Sequence, residues 1–252
     1  MGRLLALAIA VVIAAAAPAA RAGAFSDWAA IFVAADDHAH SGAHSEVFDN
    51  ARRDVAAAFV RAGFSAANMA QFSVHPEHYP GQKLDVSSPD AINAGLTRLA
   101  NQAKGGCLVY VTSHGGPDGL IIMGDTEFTA AGLARMIDDA CGARPTVVIV
   151  SACYSGAFIP PLSSPDRMVL TAAAPDRTSF GCGESDIYTY FDTCLLQSLP
   201  HARDFPTLGQ ATQACVAARE TELGASPPSE PQLWIGPELA ADIPLLAFAA
   251  SP

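Results

Sequence analysis

Short unbroken apolar blocks alternate along this chain with segments whose apolar positions recur every three or four residues. The blocks at residues 29–34, 107–112, 146–152 and 168–173 are apolar at nearly every position, as strands covered on both faces must be. Residues 69–74 form a weaker strand candidate and 232–235 a last short one. Between them, residues 46–62 carry Val47, Val55, Phe59 and Val60 at helical spacing, closed by Gly63. Ser88-Pro89-Asp90 opens a second helix with Ile92, Leu96 and Leu99 on one face. Thr129 caps a third over 129–140. Two more are predicted near 188–199 and 208–220. Residues 120–128 read as a hairpin turning at Gly124-Asp125. Strands buried on both faces and separated by helices predict an α/β fold, a three-layer α/β/α sandwich around a mostly parallel sheet.

The ends of two of these blocks carry chemistry. In a parallel α/β sheet, ligands and reactions gather at the carboxyl ends of the strands. The block 107–112 ends at Ser113-His114-Gly115-Gly116, and 146–152 ends at Cys153 followed by Tyr154-Ser155-Gly156. One helix lies between the two blocks, so a right-handed crossover makes the strands neighbours and sets His114 and Cys153 on one edge. An imidazole beside a thiol can take its proton and leave a nucleophilic thiolate. The glycines after His114 leave N–H groups free to meet the oxyanion of a tetrahedral intermediate. A lone cysteine is more often a small buried hydrophobe, and a lone histidine an ordinary loop residue. Their pairing at adjacent tips, each followed by glycine, reverses that reading. Serines near both residues do not make a serine hydrolase, because no G-x-S-x-G elbow is present.

VYVTSHGGPDGLIIM and VVIVSACYSG together resemble the legumain-type cysteine peptidases, which share the caspase fold. The resemblance continues into TAAAPDRTSFGCGESD and spans roughly residues 27–200. It implies a caspase-like sheet, a Cys–His dyad with His114 as general acid/base and Cys153 as nucleophile, and Gly115 as an oxyanion donor. It implies no metal and no cofactor, and a peptide or protein substrate cut beside a selected P1 residue. Two positions depart from the family. Ser151 stands where plant and animal members carry an acidic residue, and Val47 where they carry an arginine. Ser179 and Asp186 fall at the remaining pocket positions, so substrate binding is assigned to Ser151, Ser179 and Asp186. Without the arginine, strict cleavage after Asp is not expected. Arg52 and Arg53 lie nearby but belong inside the helix, turned to solvent. Asn or a basic residue is the expected P1 preference. The rival class is a non-catalytic binding module that keeps the caspase-like fold in the periplasm. The intact His114 and Cys153 favour the peptidase, or a transpeptidase using the same acyl-enzyme.

Charge and the N-terminus narrow the setting. The chain carries 14 Lys and Arg against 25 Asp and Glu, a net charge of −11, which argues against nucleic acid and anionic lipid as partners. Arg3, the apolar run that follows it and Ala20-Arg21-Ala22 fit a cleavable signal peptide over 1–22, leaving 23–252 as a single domain. The protein is therefore expected to be exported, periplasmic or secreted, and free of the membrane after cleavage. Export permits disulfides. Cys107 and Cys141 precede neighbouring strands and can be bridged; Cys194 and Cys215 lie on consecutive helices and can form a second bridge. Cys182 is then unpaired, in a segment expected to line the cleft. His38, His40 and His44, beside Asp36 and Asp37, fit no standard metal spacing. They are read as a solvated loop at the active edge. His75 and His78 are read as surface loop residues.

Overall fold

The computed structural model describes residues 23–249. The predicted signal peptide lies outside the described residues. The elements run in the order β1 (Trp28–Ala34), α1 (Val47–Arg61), β2 (Met69–Ser73), β3 (Asp85–Val86), α2 (Pro89–Gln102) and β4 (Gly106–Thr112). Next come β5 (Gly115–Gly116), β6 (Leu120–Met123), β7 (Thr126–Thr129), α3 (Ala130–Cys141), β8 (Thr146–Ser151) and α4 (Ile159–Leu162). The chain then forms β9 (Arg167–Thr171), α5 (Tyr190–Ser198), α6 (Phe205–Leu223), β10 (Gln232–Ile235) and α7 (Pro237–Asp242).

Seven strands form one sheet in the order β10-β9-β8-β4-β1-β2-β3. Only β10 runs antiparallel, against β9. Alternation along β1 shows why the sheet is a middle layer. Trp28, Ala30 and Phe32 join the core built with α1, α5 and α6, and Ala29, Ile31 and Val33 join the core built with α2 and α3. Both faces are thus covered, and β1 is buried at all seven positions. The strands β5, β6 and β7 form a small separate antiparallel sheet. Its hairpin turns at Gly124, whose φ of 58° suits a residue without a Cβ.

The helix starts follow their caps. Ser88 accepts the Ala91 N–H and Thr129 the Gly132 N–H. Helix α6 begins earlier than its apolar spacing predicts, at Phe205. Asp204 and Thr207 form a reciprocal capping box there, with Asp204 Oδ1 accepting the Thr207 N–H at 2.9 Å and Thr207 Oγ1 accepting the Asp204 N–H at 3.1 Å. Both expected bridges are present, Cys107–Cys141 with Cα atoms 6.3 Å apart and Cys194–Cys215 with Cα atoms 5.5 Å apart. The first ties α3 to the sheet at the end away from the His114 and Cys153 tips. Cys153 and Cys182 are free.

Candidate active site

Strands β4 and β8 are parallel neighbours whose register pairs Thr112 with Ser151. His114 and Cys153 each follow two residues later, so the sheet delivers them at the same height. Ser113 fixes the first tip from both sides: its N–H donates to Ser151 O at 3.0 Å and its hydroxyl to Ile122 O at 2.6 Å. The two tips touch. A Cβ on Gly115 would collide with the carbonyl oxygen of Cys153 and come within 3.0 Å of the Ala152 Cβ. Gly115 is therefore a packing requirement as well as a source of an N–H.

The imidazole of His114 is oriented by two neighbours. Nε2 lies 3.0 Å from His38 O, and the ring meets Phe48 edge to face with centroids 5.2 Å apart. A carbonyl only accepts, so Nε2 carries the hydrogen and Nδ1 is the basic nitrogen of the neutral ring. Cys153 sits before a sharp exit. Tyr154 takes a left-handed conformation with φ 56°, and its N–H donates to Arg177 O at 2.7 Å. Ser155 Oγ accepts the Ala173 N–H at 3.1 Å and holds the turn from beneath. A non-glycine residue at positive φ is uncommon, and the surrounding bonds fix it here.

The segment after β9 folds over these tips. The Ser179 N–H points at Cys153 Sγ at 3.3 Å. The Cys182 carbonyl accepts the His40 N–H at 3.1 Å, tying this segment to the loop after β1. Asp186 Oδ2 accepts the Gly183 N–H at 2.8 Å, which closes a tight turn. Cys182 packs against Val47 and Phe48, and burial pushes its thiol up to about 11. It remains protonated at neutral pH, beside the site where it was expected.

Ser151 takes a different place from Ser179 and Asp186. It is only 1% exposed, and its hydroxyl lies 3.4 Å from Thr189 Oγ1. This hydroxyl belongs to a buried network beneath the tips, centred on Asp192. The Asp192 carboxylate accepts Tyr110 OH at 2.7 Å, Thr112 Oγ1 at 3.0 Å and Thr189 Oγ1 at 2.9 Å. Burial raises its pKa despite these donors. Sequence reasoning missed Asp192; the available signal was Thr189 three residues ahead of it, a helix cap that also turns the carboxylate inward.

Two further expectations are corrected. Arg52 is not turned to solvent: it is fully buried, with Nε 2.8 Å from Asp49 Oδ1 and Nη1 2.7 Å from Gln71 Oε1. Its guanidinium is spent on the packing of α1 against β2. The loop after β1 is not merely solvated. Its histidines are accessible, but Asp36 and Asp37 are 4% and 8% exposed. Asp36 Oδ1 accepts the N–H groups of Asp37 and His38, which fixes the His38 carbonyl that meets His114. A hydrogen bond to Asp36 raises the pKa of His38, and one to Glu46 raises that of His44.

Known proteins resemble this chain in fold and in sequence. The fold is similar to the crystal structure of caspase-1 from Spodoptera frugiperda, with a TM-score of 0.59 and 18% identity over 89% of this chain and 94% of that one. No curated protein matches the sequence. A sequence profile of the Peptidase C13 family matches residues 81–215, more than half of the chain, including both strand tips and the segment that covers them. By that match, on a caspase-like fold, the chain belongs to the Peptidase C13 family and is a legumain-type cysteine peptidase.

Proposed function

We propose that this protein is an exported endopeptidase, or a transpeptidase of the same chemistry, in which Cys153 and His114 form the catalytic dyad. The observation that carries this reading is the contact of the two strand tips, with His114 Nε2 bound to a carbonyl and Nδ1 left as the base. Cys153 Sγ attacks the scissile carbonyl, and its proton passes to His114 Nδ1 and then to the leaving amine. A thioester remains on Cys153, and water or an incoming amine resolves it. The Gly115 N–H is the donor assigned to the oxyanion. The test is labelling with a thiol-directed peptide electrophile. Adduct at Cys153, lost in Cys153→Ala together with cleavage of a peptide library, supports the assignment. Labelling confined to Cys182, or cleavage retained in Cys153→Ala, removes it. A protein that neither labels nor cleaves is a binding module with a caspase-like fold.

P1 selection is assigned to Ser179 and Asp186, with Ser151 supporting the base of the cleft. Val47 is buried against Ala34 and Cys182, and Arg52 is consumed by Asp49, so neither offers a cation to an Asp side chain. An acidic P1 side chain without a partner would be costly to bury. The Asp186 carboxylate suits a donor: the amide N–H of Asn, or the charge of Arg or Lys. A positional library is expected to show preference for Asn or a basic residue, reduced about tenfold or more in Asp186→Ala, the size of one charge-assisted hydrogen bond. Preference for Asp or for large apolar residues would move the pocket elsewhere.

A further inference from the structure

An open groove of about 470 Å³ lies between α1 and the β2 side of the main sheet, and neither His114 nor Cys153 lines it. Its polar groups are set by Arg52, the buried cation behind it. Arg52 Nη1 donates to Gln71 Oε1 at 2.7 Å, and Nη1 and Nη2 both donate to Gln82 Oε1 at 3.2 Å. A guanidinium only donates, so both carboxamides are fixed with the oxygen toward Arg52 and the NH₂ group away from it. Both glutamines line the groove, and neither NH₂ group has an acceptor among the described residues. Arg53 gives Nε and Nη2 to Asp54, which leaves Nη1. Lys83 adds an exposed ammonium. No carboxylate lines the groove, although the chain carries 25 acidic side chains against 14 basic ones. The excess of donors is therefore local, and the partner it lacks is an acceptor with negative charge.

The same groove exposes a strand edge. β3 pairs with β2 only at Phe72 and Ser73. Met69, Ala70 and Gln71 have β1 on one side and, among the described residues, no strand on the other. These three residues form one side of the groove, and Ala56, Ala57 and Val60 of α1 form an apolar wall. Val60 is 41% exposed, an uncovered apolar side chain beside an uncovered edge. Open edges accept extended peptides through main-chain hydrogen bonds, and flanking pockets take alternate side chains. The slot also has an end. A chain laid beside Met69–Gln71 in the direction of β2 meets β3 at Phe72, so it must stop or turn away there. Gln71 stands at that end, with Gln82 held against it through Arg52.

We infer that this groove binds the carboxyl-terminal end of an extended peptide. The peptide backbone adds to the free edge of β2, its apolar side chains lie on Ala56, Ala57 and Val60, and its terminal carboxylate takes the amide hydrogens of Gln71 and Gln82 and the charge of Lys83. Hydrogen bonds to a carboxylate are charge-assisted and stronger than those to a neutral carbonyl. A volume of several hundred Å³ with an apolar wall and a few fixed polar groups is typical of a specific site. The site stands on its own geometry and does not require the peptidase assignment.

The experiment uses the full chain with Cys153→Ala, so that binding is read without cleavage. The probe is acetylated Ala-Leu-Val-Ala with a free carboxylate, titrated by calorimetry beside its carboxyl-terminal amide and beside sodium acetate. One peptide per chain is expected, with a Kd below about 1 mM. The amide should bind about tenfold or more weaker, the loss of one charge-assisted hydrogen bond. Lys83→Glu should weaken the acid peptide about tenfold or more, whereas Arg135→Glu on α3, with the same change in net charge, should stay within about twofold. Ala57→Trp should block binding by filling the wall. Lys83 and Ala57 are exposed, so both variants are expected to fold, and their melting temperatures check this. Bound peptide should slow hydrogen exchange over residues 69–71. The acid and amide comparison needs no variant and decides by itself. No saturable binding, equal affinity of acid and amide, acetate binding as tightly as the peptide, or equal affinity in the Lys83→Glu and Arg135→Glu proteins overturns the inference.

Discussion

His114→Ala is expected to lower kcat/KM by about a thousandfold or more while leaving the fold intact. Removing a general acid/base alone costs typically 10²–10⁴-fold, and a nucleophile that depends on it fails with it. The stability effect should be small for a definite reason. The ring is half-buried at a strand tip, bonded to one carbonyl and packed edge-on against Phe48. An aromatic pair of that kind is worth about 0.5–1.5 kcal/mol. In a chain of this size that corresponds to a few degrees in Tm, by roughly 2–4 °C per kcal/mol. The pH profile separates a catalytic role from a structural one. Without the imidazole, only direct ionisation of the thiol can generate the nucleophile, so residual activity should rise steadily with pH. A variant with near-normal kcat/KM, or one with the wild-type pH profile at reduced amplitude, would rule out His114 as the base.

How much of this was legible in the sequence depended on whether the signal was local. Strands β1, β4, β8 and β9 declare themselves because burial on both faces demands continuous apolar runs, and residues 107–112 and 146–152 have little else. The neighbouring position of β4 and β8 followed from a single intervening helix, and the Cys107–Cys141 bridge from where two cysteines stood relative to those strands. Two-residue strands such as β3 and β5 carry no periodicity to read; they exist because other strands offer them partners. The start of α6 was masked because Pro206 and the polar Asp204 and Thr207 interrupt the apolar pattern, although they form its cap. The site was legible at its tips and not beneath them. Asp192 is 80 residues from Thr112, and only folding brings three hydroxyls onto its carboxylate. Arg52 looked like a surface helix residue because Gln71 and Gln82, which hold its far nitrogens, lie outside the helix; Asp49, three residues earlier, was the one partner within the helical pattern.

Gly115→Ala is expected to be nearly as damaging to turnover as loss of a catalytic group, although it removes no functional atom. The alanine keeps the N–H assigned to the oxyanion, so any loss reports geometry. Its methyl group would overlap the Cys153 carbonyl oxygen and crowd the Ala152 Cβ. The first of these is backbone, tied into β8 and the turn at Tyr154, and cannot swing aside as a flexible side chain would. The tips must therefore separate, and a displacement near 1 Å at a catalytic constellation can cost about 10²-fold. Forcing a methylene into a packed contact also destabilises, by about 1–3 kcal/mol. Gly116→Ala is the matched control. A Cβ there would meet only the Leu120 Cβ at 3.9 Å, an ordinary contact, so its activity should stay within about twofold of wild type. Two measurements check the pair: kcat/KM on one peptide, and the rate at which a small uncharged alkylating agent modifies Cys153. The alkylating agent needs the thiolate but not the oxyanion donor or a positioned substrate. Peptide turnover should therefore fall much further than alkylation in Gly115→Ala, and neither should change in Gly116→Ala. Equal behaviour of the two alanine variants would mean that the tips of β4 and β8 do not need their close contact for catalysis.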